Sequence, residues 1–204
     1  MYLIDKIPVF PSSYEEIELE CLNFLKKNFP ENIKKPRILD VLSIEDNLFG
    51  YKLAIDDSLD GTNIEGYTDF WGRAFYIPWK TYEALLRGTN NNRERFTVAH
   101  EAGHIILHRK IFENKSLMAA RSSKEKIEIY MDPEWQANAA AAALLMPLPA
   151  FYREYKKTKI PGFFNFVQIH DLAEKFQVSI DTVSIRIKTL SNKGVKSLIM
   201  RLGL

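Results

Sequence analysis

The chain has a single cysteine, Cys21, among its 204 residues. One thiol builds neither a disulfide framework nor a zinc site of several thiolates. Cys21 recurs with Ile17, Leu22 and Leu25 at helical spacing, so it reads as a small buried apolar residue. Long apolar runs are also absent. The longest, residues 139–148, contains Pro147 and is too short to span a bilayer. The first eight residues lack a basic start followed by an apolar stretch, so no secretory signal is expected. We therefore expect a soluble, cytoplasmic protein with no membrane partner. An excess of charge is missing too. The formal net charge is +2, which argues against a protein whose main task is coating nucleic acid but leaves a local basic face open.

What is present suits a compact fold. The hydrophobic fraction is 46% over 204 residues, enough for a real core and for one domain with a small appendage. Periodicity predicts an amphipathic helix over 14–28, ending before Pro30, and a second over 36–46. Residues 51–55 alternate like a strand. Residues 64–71 and 73–78 flank Gly72 as two antiparallel strands, after a polar turn at 58–63. A short helix over 82–87 ends at Gly88. Residues 89–92 are rich in capping side chains and open a strong helix over 93–109. Residues 113–126 read as a polar connection. Pro133 suits the first turn of a helix running to about residue 145 and stopped at Pro147. A linker is expected over 156–162 and a helical pair over 167–176 and 179–190. The class is α+β, divided into a core over residues 1–160 and a C-terminal helical module over 161–204.

The chemistry is concentrated in His100-Glu101-Ala102-Gly103-His104. Four residues make slightly more than one helical turn, so the two imidazoles share a face about 6 Å apart along the axis. Placed so, they can converge on one zinc at about 2.0–2.1 Å each. Glu101 follows the first ligand and reaches the water that zinc makes acidic without filling a coordination position. A catalytic zinc takes three protein ligands. His108 lies about 12 Å along the helix from His100, so all three histidines cannot bind one ion on a straight helix. His170 has no supporting pattern. Glu134 is the better third ligand. Asn138, four residues on, shares its face and can hydrogen-bond a ligand histidine from behind. Alanines 139–143 on this helix, with Ala102 and Gly103 on the other, permit close approach.

These stretches resemble the ImmA/IrrE family of metallo-endopeptidases. The matching residues are Arg95-Phe96 before the zinc motif, the run on to His108, Glu134-Trp135-Gln136-Ala137-Asn138, and Leu144-Leu145-Met146-Pro147. A weaker match covers residues 172–179. In element order the resemblance extends over residues 36–190. It implies His100, His104 and Glu134 as zinc ligands, Glu101 as catalytic base and Asn138 as a residue behind the ligands, where members often carry aspartate. The chain departs from the pattern at Ala140, where many members carry phenylalanine. The implied fold is a minimal thermolysin-like zincin core: a small twisted sheet, an active-site helix and a glutamate-bearing helix. The implied substrate is a protein, a helix-turn-helix transcriptional repressor.

Other features leave alternatives open. Residues 169–187 read like a helix-turn-helix, with Ser179 as N-cap and Arg186 and Lys188 on the second helix. The chain is then a DNA-binding regulator, or a protein that sequesters a repressor, with a non-catalytic metal site. Direct nucleic-acid contact is the less favoured role of this pair. Packing on the core or gripping a protein substrate is the more favoured one. The strand over 73–77 is a candidate sheet edge for an extended substrate. Tyr130 and Tyr152 are candidates for stabilising an oxyanion, with nothing in the sequence to choose between them.

Overall fold

The computed structural model describes residues 9–88, 91–113, 128–158 and 166–204. Helix α1 spans Tyr14–Asn28. Its start is written locally: Ser13 accepts from the Glu16 amide while the Glu16 carboxylate accepts from the Ser13 amide, a reciprocal cap. Pro30 opens a short α2, Pro30–Lys34.

The helix expected over 36–46 does not form. Only Leu42–Asn47 coils, as a 3-10 helix. Side chains have taken the backbone groups a helix would use. Asn32 donates to the Arg37 carbonyl at 3.0 Å, and Arg95 donates to the Leu39 carbonyl at 2.9 Å. With those carbonyls satisfied and Leu39 buried, tertiary contacts override the helical pattern.

Three short strands follow: β1 Lys52–Ile55, β2 Tyr67–Asp69 and β3 Ala74–Ile77. The order is β1-β3-β2, with β1 parallel and β2 antiparallel to β3. The strand over 73–77 is thus the centre of the sheet and not its edge, because β1 pairs along its other side. The β2–β3 turn depends on Gly72. Asp69 Oδ1 accepts from the Trp71 and Gly72 amides, and a Cβ on Gly72 would collide with that carboxylate.

Helix α3, Trp79–Arg87, ends at Gly88 with φ of 74°, a left-handed cap. Helix α4 covers Asn92–Glu113 and α5 covers Pro133–Leu145. Asp132 caps α5 by accepting from the Glu134 amide at 2.9 Å. The expected connection over 113–126 lies, beyond Glu113, outside the described residues.

The two helices pack at close range over Gly103, which sits against Ala137 and Ala140 of α5. The alanines at 137, 140 and 141 are fully buried. Ala140, the departure from the family pattern, is the residue that fits over this glycine.

Four helices complete the described chain: α6 Leu148–Thr158, α7 Phe166–Phe176, α8 Ile180–Thr189 and α9 Lys193–Arg201. The C-terminal pair appears as α7 and α8. The helices α6 and α9 were not expected. Pro147, read as a stop, is followed directly by a new helix whose Phe151 amide donates to the Pro147 carbonyl at 2.8 Å. The linker expected over 156–162 is helical up to Thr158, and its remainder lies outside the described residues. Helix α9 is capped by Asn192, which accepts from the Gly194 and Val195 amides.

The apolar residues Leu172, Val183, Val195 and Leu198 join one cluster with Ile17, Phe75, Ile105 and Leu144. A buried ion pair ties α8 to α1: Arg186 meets Glu18 through both carboxylate oxygens and donates to the Met146 carbonyl at 2.9 Å. No helix among the described residues is long and apolar enough to cross a membrane.

Candidate metal centre

Helix α4 buries Val98, Ala99, Ala102 and Ile105 completely, which fixes its rotation. His100 and His104 are thereby aimed together toward α5. Their Nε2 atoms lie 3.0 Å apart. Glu134, in the first turn of α5, places Oε2 3.1 Å from His100 Nε2 and Oε1 3.1 Å from His104 Nε2. One ligand atom from each residue lies within 4.8 Å of the others. A tetrahedral ion bound at about 2.0–2.1 Å keeps its donors about 3.3 Å apart. The three groups therefore form a donor set of the right size, and two imidazoles with one carboxylate suit zinc.

The cluster is asymmetric in exposure. The side chain of His104 is 2% exposed, that of His100 16% and that of Glu134 39%, so the centre opens on the glutamate's side. Burial disfavours charge on Glu134. Against that, the two imidazoles beside it hold the Glu134 carboxyl far below the usual carboxylate range. Burial likewise opposes charge on His100, but Glu134 and Glu101 together outweigh it and raise its pKa above the ordinary value.

Behind the donor atoms lies a layer of hydrogen bonds. His100 Nδ1 lies 3.1 Å from Asn138 Oδ1. His104 Nδ1 lies 3.2 Å from His108 Nδ1, and His108 Nε2 lies 3.0 Å from Gln136 Oε1. His108 therefore stands behind a proposed ligand and away from the donor triangle. Burial, with His104 next in weight, pushes its pKa down to about 3. Gln136 was not anticipated. It is two residues from Glu134, hence on another side of α5, and an isolated glutamine carries no sequence signal.

Glu101 is 4% exposed. Its Oε2 accepts from the Thr68 hydroxyl at 2.7 Å. Thr68 pairs in register with buried Phe75, so it shares the sheet face that covers α4. Gly66 lies just before β2, where an added Cβ would stand 3.2 Å from Glu101 Oε1 and 3.0 Å from the Tyr76 carbonyl. Thr68 and Gly66 were also missed. Only the register and the docking of β2 on α4 bring them to Glu101. His170 is elsewhere, exposed on α7 and 3.7 Å from Glu174.

A family model described as Peptidase_M78: IrrE N-terminal-like domain matches residues 87–188, half of the chain. The chain belongs to this family. The IrrE-like match begins at the end of α3 and takes in α4, α5 and the C-terminal pair. Its His-His-Glu cluster is consistent with the active site of a zincin-type metallopeptidase. Among curated proteins none matches. A Mycobacterium tuberculosis transcriptional regulator is similar in fold, with a TM-score of 0.57 and 16% identity; the match covers 87% of this chain and 47% of that one. The present chain thus spans about half of that regulator's length.

Proposed function

We propose that this IrrE-like chain is a zinc-dependent endopeptidase, with His100, His104 and Glu134 as ligands and Glu101 as general base. The observation that carries the reading is that both Glu134 oxygens face the two imidazole Nε2 atoms. Zinc, when bound, supplies the Lewis acid that polarises water and the scissile carbonyl. The chain's own residues do the rest. Thr68 holds one oxygen of Glu101. The other accepts the proton from the attacking water and delivers it to the leaving amine. Asn138 holds the His100 ring. The open side at Glu134 admits the peptide.

For the substrate we infer a helix-turn-helix transcriptional repressor. Support comes from the ImmA/IrrE resemblance and from the likeness in fold to a Mycobacterium tuberculosis transcriptional regulator. We take residues 161–204 as a C-terminal helical module that serves the core and the protein substrate and does not read DNA. Arg186, a basic residue of the expected reading helix, is drawn inward to Glu18. That leaves Asp181, Ile185 and Lys188 exposed on α8, a mixed face poorly suited to phosphates.

The test is cleavage of a candidate repressor encoded nearby, by the zinc-loaded chain and by Glu101→Gln. The variant should bind zinc and repressor and leave the repressor intact. Relief of repression by Glu101→Gln at full strength would favour sequestration over hydrolysis. Duplex binding that survives loss of the histidines would favour a DNA-binding regulator.

A further inference from the structure

We propose that Gln136 and His108 fix the tautomer of His104, and that this control originates in the main-chain carbonyls of Phe10 and Tyr130. The functional consequence rests on reading His104 as a ligand.

The chain of hydrogen bonds has one direction. Gln136 is 1% exposed. Its Nε2 lies 2.8 Å from the Phe10 carbonyl oxygen and 2.7 Å from that of Tyr130. Carbonyls only accept, so the amide nitrogen belongs on that side. Turning the amide over would set an oxygen against two oxygens. Gln136 Oε1 must therefore face His108 Nε2, at 3.0 Å. An amide oxygen also only accepts, so His108 Nε2 carries a hydrogen. A neutral imidazole has one, which leaves His108 Nδ1 bare. His104 Nδ1, 3.2 Å away, must then donate to it. A neutral His104 with its hydrogen on Nδ1 has its lone pair on Nε2. That atom lies 3.0 Å from His100 Nε2 and 3.1 Å from Glu134.

A ligand histidine usually donates its second N–H to a carboxylate or carbonyl, whose accepting role is never in question. Here the acceptor is another histidine, which can accept only if its own hydrogen is held on the far nitrogen. Gln136 holds it there. The segments that bear the two carbonyls are held to each other: the Val9 amide donates to the Met131 carbonyl and the Ser12 amide to that of Tyr130, both at 3.0 Å. The segment before α1 thus reaches the metal centre from behind, through four polar groups. Gln136 and His108 are positioning residues for His104.

The test begins with the zinc-free wild-type chain, labelled with nitrogen-15. Two-bond correlations of the imidazoles should show the hydrogen of His104 on Nδ1 and that of His108 on Nε2. A hydrogen on His104 Nε2 overturns the proposal, and this measurement needs no variant. Cobalt(II) titration, read by its visible absorption, then tests the consequence. His108→Phe should weaken binding on the order of 10–100-fold. His108→Gln, which can accept from His104 and donate to Gln136, should restore most of it. Equal cobalt affinity in wild type and His108→Phe also overturns the proposal. If the wild type binds no cobalt, the ligand reading fails, and the metal-free spectrum still decides the tautomer.

Discussion

Gly103 and Ala140 meet where the two helices that build the centre pack closely: a Cβ placed on Gly103 would stand 2.9 Å from Ala140 Cβ and 3.1 Å from the Ala137 carbonyl. The neighbours are backbone and a methyl group on a rigid helix, with no flexible end to move aside. Gly103→Ala gains about 1 kcal/mol of helix propensity. Overpacking costs about 1–3 kcal/mol, so we expect a small net destabilisation. Zinc affinity should fall with it, because α5 carries Glu134. Urea unfolding and zinc titration check this. A variant as stable as wild type with unchanged affinity would show that the close contact is dispensable.

Thr68 is expected to act on the reaction and not on the ion. Thr68→Val keeps the shape and removes the hydroxyl that Glu101 Oε2 accepts from. A hydrogen bond to a charged group contributes about 1.5–3 kcal/mol, so kcat should fall roughly 10–100-fold at constant zinc affinity. Glu101→Gln should lose about 10²–10⁴-fold. Steady-state cleavage beside zinc titration separates the two effects. Normal cleavage by Thr68→Val would leave Glu101 without this support.

Zinc binding should release a proton near neutrality. In the metal-free chain His100 holds its proton above the ordinary value of 6.5, and the ion must displace it. Affinity should therefore climb as pH rises through and above 6.5, then level off. The stability of the zinc-free chain should run the other way. A raised folded pKa contributes stability below 6.5 that is lost as pH rises through the raised value. Glu134, with its depressed pKa, contributes stability above the ordinary carboxyl value of 4.5 that is lost as pH falls further. Zinc titrations and thermal melts at several pH values read both slopes. A pH-independent affinity between 6 and 8 would contradict the raised His100 pKa.

Breaking the Glu18–Arg186 pair should destabilise more than replacing it. Removing one partner of a buried pair leaves an uncompensated charge and costs about 3–5 kcal/mol. Glu18→Gln and Arg186→Met should each show this in chemical unfolding. The double change Glu18→Leu with Arg186→Met should recover most of the loss, since apolar replacement of a buried pair is often neutral. A double variant as weak as the singles would mean that the pair's shape matters more than its charge.

The sequence by itself determined the features that depend on neighbours along one helix or turn. His100 and His104 share a face because they are four residues apart. The capping pattern of Ser13 with Glu16 starts α1, and Asp132 with Pro133 starts α5. Gly88 ends α3. These are backbone rules of short range. Glu134 lies thirty residues beyond His104, and its candidacy as third ligand rests on the small residues that permit close helix approach and on the family resemblance. Short range is also where the reading failed, over residues 36–46, since Asn32 and Arg95 come from other segments to take the carbonyls of Arg37 and Leu39. Only the tertiary structure decided that β3 lies between two strands, that Thr68 and Gly66 flank Glu101, and that Arg186 turns inward to Glu18. It alone decided that Gln136 stands between two carbonyls and His108. Each of these is a meeting of surfaces distant in sequence, and which atoms meet is set by burial and steric fit across the whole core, which no local spacing encodes.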